Sequence, residues 1–375
     1  MMSSSTLRQI ASHYLLTPQG FYNQPLITID AASGEIVRLE QYDNTLDSHA
    51  GVEFYAGILC RGFVNAHCHS ELSYLRGAIP QGVGYSGFAA AMARVRGNFS
   101  EQERGEALQA ADAQMWAEGV DFCADIVNDS SSFLVKENSK ICYHSFAEVF
   151  GLKQSNLTLC QDIVNQHPNT TLTPHSTYSV QQSDFEAVCR SNPPLLSIHF
   201  KESLGEEQLY QNSGALADWY RTVGFECDFL NFNSPAERIV KSIPKNQSVM
   251  FVHNSYLTER DIELIMNHFT APVYWVLCPR SNCYISGNIT DAAQLLIKHG
   301  LNILIGTDSL ASNSSLSIIE ELKCFKDIPL HTLLNWATNN GYKALGCKPR
   351  GWINILGADL EKMQITENTV VKRVL

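Results

Sequence analysis

His67 and His69 close an apolar run, Gly62-Phe-Val-Asn-Ala66, with one residue between them. On an extended strand, side chains two positions apart share a face, so both imidazoles can reach one metal ion. The pair supplies half a site, and an isolated H-x-H is more often a surface or hydrogen-bonded core feature. Further candidate groups stand at the ends of later apolar runs. His175 follows Thr173-Pro174, His199 ends Leu195-Leu-Ser-Ile, His253 ends Val249-Met-Phe-Val, and Asp308 ends Ile303-Leu-Ile-Gly-Thr. A seventh run ends near Cys278-Pro-Arg-Ser-Asn282. Taken singly, each is a satisfied polar residue or a helix N-cap. Recurrence in phase at successive strand ends points to one shared rim.

The set is chemically coherent. His67, His69, His199 and Asp308 offer three nitrogens and one carboxylate to one divalent ion, which suits Zn²⁺ and nearly as well Fe²⁺. Glu202 follows His199 by three residues, near the ion without having to ligate it, and is placed to act as a proton shuttle. His253 and Asp308 would orient and deprotonate a water whose pKa zinc lowers to roughly 7. His13, His49, His144, His167, His268, His299 and His331 lack strand-end placement and read as structural or surface residues.

A shared rim requires strands that bring these ends together. Apolar strand-like runs lie near 62–67, 120–127, 142–150, 171–174, 195–200, 249–253, 273–278 and 302–307. Amphipathic helical stretches at 101–118, 257–269, 289–299 and 316–325 alternate with them. Eight alternations in about 280 residues match an α/β (β/α)8 TIM barrel, whose catalytic groups gather at the C-terminal strand ends. A doubly wound open sheet is the competing architecture. Short strands at 27–30, 36–39 and 56–60 precede the alternation. A helix at 330–345 follows it, and strands at 351–355 and 370–371 complete the N-terminal β unit.

Composition narrows the function classes. The 375 residues are 45% hydrophobic and 17% charged, enough apolar content for a sizeable core. A formal net charge of −11 argues against nucleic acid or an anionic membrane as partner and leaves a small-molecule substrate. The eleven cysteines form no C-x-x-C pair. Cys123, Cys142 and Cys278 sit in apolar surroundings, as buried thiols of a reducing, cytoplasmic compartment would. No signal-peptide h-region and no run of about 18 apolar residues is present, so no membrane span is expected. A homodimer is the expected assembly.

Six motifs occur in order: Gly62-Phe-Val-Asn-Ala-His-Cys-His, Thr173-Pro-His-Ser-Thr-Tyr, His199-x-x-Glu202, Phe251-Val-His-Asn254, Cys278-Pro-Arg-Ser-Asn282 and Gly306-Thr-Asp-Ser-Leu-Ala-Ser-Asn313. Together they resemble the metal-dependent amidohydrolase superfamily, within it the nucleoside and nucleobase deaminase and chlorohydrolase branch. His-Cys-His-Ser-Glu-Leu-Ser, with Ser-Leu-Ala-Ser-Asn after the strand-eight aspartate, is similar to the aminodeoxyfutalosine deaminase group. The resemblance implies a small β-sandwich built from residues 1–58 and 349–375 around a barrel of 59–348. It implies His67, His69, His199 and Asp308 as metal ligands, Glu202 as the proton-transferring glutamate and His253 as the strand-six histidine. It also implies His175 as a substrate contact and Glu71 in a loop where related enzymes bind ribose hydroxyls. The fourth strand carries no lysine that could be carboxylated to bridge two metals, which favours one ion. Arg61-Gly62 replaces the usual Pro-Gly.

The expected activity is therefore hydrolytic deamination of an aminated purine or nucleoside-like heterocycle. The alternative is hydrolysis of another C–N or C–Cl bond, in an aryl chloride, a formimino group or a cyclic amide. A metal-binding barrel without turnover would have shed Glu202, His253 and Asp308 first. Gly82-Val-Gly-Tyr-Ser-Gly87 matches G-x-G-x-x-G formally, but it follows no strand and reads as a mobile loop over the site. The P-C-x-x-C of cytidine-type zinc deaminases is absent, as are P-loop, H-E-x-x-H and G-x-S-x-G motifs. Glu206-Glu207 reads as a solvated helix face. Specificity is expected in loops 71–100, 128–140 and 201–248.

Overall fold

The structure is a computed structural model that describes residues 6–43 and 51–375; His49 lies outside them. The chain opens with β1 (Leu7–Thr17), β2 (Gly20–Asn23), β3 (Pro25–Asp30), β4 (Ile36–Gln41) and β5 (Val52–Arg61). Eight strands then alternate with helices: β6 (Phe63–Cys68), β7 (Val120–Val127), β8 (Cys142–Val149), β9 (Thr170–Pro174), β10 (Leu196–Phe200), β11 (Val249–His253), β12 (Val273–Leu277) and β13 (Asn302–Ile305). The last strands are β14 (Trp352–Leu356) and β15 (Val370–Arg373).

β6 to β13 are buried on both faces, which is why they read as unbroken apolar runs rather than alternating ones. They form two parallel four-stranded sheets, β6-β7-β8-β9 and β10-β11-β12-β13. Regular pairing stops between the sheets, and single parallel bridges span both seams, Ser176 to His199 and Cys68 to Asp308. His67 O accepts from Thr307 N at 2.9 Å and Asp308 N at 3.1 Å, and His175 O accepts from His199 N at 2.9 Å. Buried Asn65 reinforces one seam, donating to Thr307 Oγ1 at 2.7 Å and accepting from Thr307 N at 3.2 Å. The seams thus meet at the C-terminal strand ends, among the candidate site residues.

Both termini build one mixed seven-stranded sheet, ordered β15-β14-β5-β1-β3-β4 with β2 paired to β1. Among the described residues the terminal strands, expected as a small β-sandwich, are joined into one continuous hydrogen-bonded sheet. Its backbone, the eleven-residue β1, escapes the sequence pattern because Ser12 and His13 interrupt the apolar run. Arg373 ties this sheet to the parallel strands: its guanidinium donates to buried Asp121 at 2.7 Å, Trp116 O at 2.8 Å and Val120 O at 3.0 Å. Asp121 also accepts from Gly351 N at 2.6 Å.

Two expected elements differ in form. The helix at 330–345 is broken into Leu330–Ala337 and Asn339–Leu345 at Thr338, whose φ of −129° and ψ of −90° leave the helical region. In the second piece, a Cβ on Gly341 would lie 2.5 Å from Val64 Cβ, so glycine lets this helix pack directly on β6. The G-x-G-x-x-G segment is the entry of helix Gly84–Val95 rather than a loop, with Gly84 at φ +67° and Tyr85 edge-on to Tyr178 at 5.2 Å.

Candidate active site

The candidate residues stand at or just beyond strand ends. His67 and His69 leave β6 on one face, His199 lies in β10, and Asp308 follows β13 by three residues. One nitrogen from each of the three histidines lies within 4.8 Å of the others, and His69 Nε2 is 3.3 Å from His199 Nε2. Asp308 Oδ1 is 3.6 Å from His69 Nε2 and 3.9 Å from His67 Nε2. Two nitrogens each about 2.1 Å from a tetrahedral ion are about 3.4 Å apart, so the pair has the spacing of co-ligands. Both ring nitrogens of fully buried His67 lack a hydrogen-bond partner. Buried polar atoms are rarely left so. A divalent cation fits this donor set, and the four residues could hold one.

Electrostatics agree. Burial, then the charge of His69, holds His67 well below the usual histidine range; burial, then His175 and His67, does the same to His199. Both are thereby biased toward the neutral form, which can donate a lone pair. Burial opposes ionisation of Asp308, but facing His69, His253 and His67 hold its carboxyl down to about 2.

Each group is held by a partner. His199 Nδ1 donates to His175 O at 2.9 Å, leaving Nε2 for the shared face. Asp308 Oδ2 accepts from Ser281 at 2.5 Å and Ser312 at 2.8 Å, leaving Oδ1 toward the histidines. His253 Nδ1 lies 2.9 Å from Asn282 Oδ1, which puts the proton there and leaves buried Nε2 unpaired. His253 and Asp308 have positive φ, +75° and +56°. Such backbone costs about 1–3 kcal/mol per residue. Neighbouring amides hold it: Asn254 Nδ2 donates to Phe251 O and Val276 O, and Asn313 Nδ2 to Thr307 O.

Glu202 sits beside this face. Its Oε1 is 3.8 Å from His253 Nε2, and its Oε2 accepts from Tyr178 at 2.7 Å. Burial raises its carboxyl above the usual range. The His175 ring stacks on His199 at 4.5 Å, its Nδ1 is 2.6 Å from Ser179 Oγ, and burial pushes it down to about 3. Glu71 stands apart from the cluster. Its carboxylate accepts from Asn128 N at 3.1 Å and Asn128 Nδ2 at 2.8 Å, and burial pushes it up to about 7. It lines a cavity of about 430 Å³ with Tyr74, Arg96, Arg104 and Asn128.

Two acids differ from expectation. Glu148, near the end of β8, was missed. It is buried, with Oε1 unpaired, 3.6 Å from His199 Nδ1 and 4.0 Å from His175 Nε2. Burial, then the charge of Glu71, pushes it well above the usual range. The sequence signal is a lone carboxylate in Phe146-Ala-Glu-Val-Phe150, a run that continues past it and so does not mark a strand end. Glu206 was read as solvated and is instead fully buried. Its carboxylate accepts from Thr177 and, at 3.2 Å, from Glu202 N, and burial pushes it up to about 8. Glu207 pairs with buried Lys201, which also reaches Asp261 at 3.2 Å. Cys142 is half-buried rather than buried; all eleven cysteines are free.

Residues 58–353 match the amidohydrolase family. An adenosine deaminase from Helicobacter pylori is 28% identical over 318 residues, 79% of this chain and 76% of the relative. An aminodeoxyfutalosine deaminase from Nitratiruptor sp. is 24% identical over 372 residues, 91% of this chain and 87% of the relative. Among solved structures, H. pylori aminofutalosine deaminase in complex with methylthio-coformycin matches with a TM-score of 0.80 at 22% identity, over 98% of this chain and 100% of that one. A Xanthomonas campestris adenosine deaminase with bound zinc matches with a TM-score of 0.70 at 20% identity, over 94% and 85% of the two chains. These likenesses establish a shared fold and imply a TIM-barrel architecture for the two parallel sheets. The chain belongs to the amidohydrolase family, metal-dependent hydrolases that act on carbon–nitrogen bonds other than peptides.

Proposed function

We propose that the protein hydrolytically deaminates an aminated purine or nucleoside-like heterocycle, with one divalent ion, best matched by zinc, held by His67, His69, His199 and Asp308. The carrying observation is the convergence of the three histidines, with Asp308 Oδ1 3.6 Å from His69 Nε2, and Glu202 Oε1 and His253 Nε2 3.8 Å apart beside them. Relatives in sequence that deaminate adenosine and aminodeoxyfutalosine support the substrate class. When bound, the ion supplies a Lewis acid that makes water nucleophilic near neutral pH.

The residues handle protons and position. Water adds to the ring carbon bearing the amino group, and Glu202 Oε1 takes a proton from it and passes it to the adjacent ring nitrogen. His253 Nε2, its ring fixed through Asn282, accepts a hydrogen bond from the attacking water. Glu202 then moves the remaining hydroxyl proton of the added water to the amino nitrogen, the C–N bond breaks, and ammonia leaves with the bonding electron pair while the ring carbon becomes a carbonyl. His175, stacked on His199, faces the heterocycle. Glu71 stands on the sugar side, where its half-buried carboxylate borders the cavity that also contains Arg96 and Arg104.

The same reading closes the eight parallel strands into one (β/α)8 barrel over 59–348, with 1–58 and 349–375 forming the appended β unit. The two seam bridges support closure. Among the described residues no helix is long and apolar enough to cross a membrane. Product identification tests the proposal. Ammonia released from aminopurine nucleosides, with an oxo product, is expected; chloride, or a new carboxylate from a cyclic amide, as the sole product across the panel would replace deamination with another hydrolysis.

A further inference from the structure

We infer that Tyr178 is a positioning residue for proton transfer, tying down one oxygen of Glu202 so that the other alone carries the proton. The inference rests on the proposed role of Glu202. Tyr178 is buried, and its hydroxyl donates to Glu202 Oε2 at 2.7 Å. Oε1 is left as the free oxygen, 3.8 Å from His253 Nε2. A shuttle needs this asymmetry, because a carboxyl free to rotate would present either oxygen and lose alignment at each transfer.

The loop bearing Tyr178 is built for rigidity. Buried Arg238 donates to Thr177 O at 2.7 Å and Val180 O at 2.8 Å. Tyr210 donates to Thr177 O at 2.6 Å, and Tyr220 donates to Tyr178 O at 2.8 Å. The Tyr178 ring meets Tyr85 edge-on at 5.2 Å and His175 at 5.7 Å. The residue therefore joins the shuttle, the histidine facing the substrate and helix Gly84–Val95 in one contact set. This gives the G-x-G-x-x-G segment a place in the site: it delivers Tyr85 against Tyr178.

The groups around Glu202 make the tyrosine consequential. His253 faces it from β11, Asp308 from the end of β13, Glu148 from β8, Tyr85 from its helix, and Glu206 accepts from its backbone N–H. Burial and the charge of Asp308 favour the protonated acid, whereas His253 and Tyr178 favour the carboxylate. The carboxylate is the form that can take a proton from water. Tyr178 thus keeps the shuttle ready as well as aligned.

The test is Tyr178→Phe in the metal-loaded protein, which keeps the ring and removes the hydroxyl. The acid limb of the kcat/KM profile should rise by about one pH unit, and kcat at neutral pH should fall about tenfold, at unchanged metal content. A packing role alone would lower the thermal midpoint and leave the acid limb in place. Infrared titration of the Glu202 carboxyl, identified by its loss in Glu202→Gln, gives a second readout that needs no turnover. Its midpoint should rise in Tyr178→Phe. An unmoved acid limb together with an unmoved infrared midpoint overturns the inference. Wild-type protein that releases no ammonia across an aminopurine panel overturns the deaminase reading instead, and the infrared midpoint still decides whether Tyr178 governs Glu202.

Discussion

Replacing Glu206 with glutamine should stabilise the protein, and by more as pH rises. The side chain is fully buried on helix Leu204–Tyr210, where it accepts from Thr177 and from Glu202 N. Burial pushes its carboxyl from 4.5 up to about 8. The unfolded chain therefore gives up this proton at lower pH than the folded chain does. Stability from the buried acid is fully present below about pH 4.5 and is lost as pH rises toward about 8. The two values are 3.5 pH units apart (8 − 4.5). At about 1.36 kcal/mol per unit the ceiling is about 5 kcal/mol. Relaxation around the ionised group brings the expected loss to about 2 kcal/mol. Glutamine imitates the protonated acid: its oxygen can accept from Glu202 N and its amide can donate to the Thr177 hydroxyl. Urea unfolding should give Glu206→Gln and wild type similar stability at about pH 5 and an advantage to the variant of about 2 kcal/mol at about pH 8. A stability difference that does not change with pH, or a variant weaker at high pH, would refute the reasoning.

Ser281→Ala removes one of two hydroxyl donors that orient Asp308 Oδ2, the other being Ser312. Metal affinity should fall about tenfold in a chelator competition, with the fold intact; unchanged affinity would dissociate Ser281 from the metal face. Arg373→Ala leaves Asp121 buried without its cation and strips donors from Trp116 O and Val120 O. Unfolding should become easier by about 3–5 kcal/mol, and a change under about 1 kcal/mol would show that Gly351 N and the Tyr342 hydroxyl satisfy Asp121 without the arginine.

The strand ends were legible because strands buried on both faces write continuous apolar runs, and the polar residue closing each run is conspicuous. His67, His69, His199, His253 and Asp308 all carry that mark. Glu148 lacks it, because Val149 and Phe150 continue the apolar run and the acid stands inside the third strand rather than closing it. Ser281, Ser312, Asn282 and Asn65 lie within the strand-end motifs, but the motifs do not reveal what these residues hold. Each is defined by a hydrogen bond to a neighbouring strand end, and spacing places a residue on a rim without naming its partner across it. Glu206 ran against the pattern. On its short helix Leu204 is 56% exposed while Glu206 is 0% exposed, the reverse of what hydrophobicity predicts. The loop at Thr177 and the Glu202 backbone supply the partners that make burial of the acid tolerable. The terminal strands could be counted, but strand counts do not say how they pair.

The central claim is that a metal held by three histidines and Asp308 serves a deamination whose protons pass through Glu202. The most direct test measures ammonia release and bound metal together, in wild type, Glu202→Gln and Asp308→Asn, against a panel of aminopurine nucleosides. Wild type should release ammonia with about one ion per chain. Glu202→Gln should keep the ion and lose at least about 100-fold in kcat, and Asp308→Asn should lose both ion and activity. Undiminished ammonia release from Glu202→Gln, or from Asp308→Asn, would contradict the account.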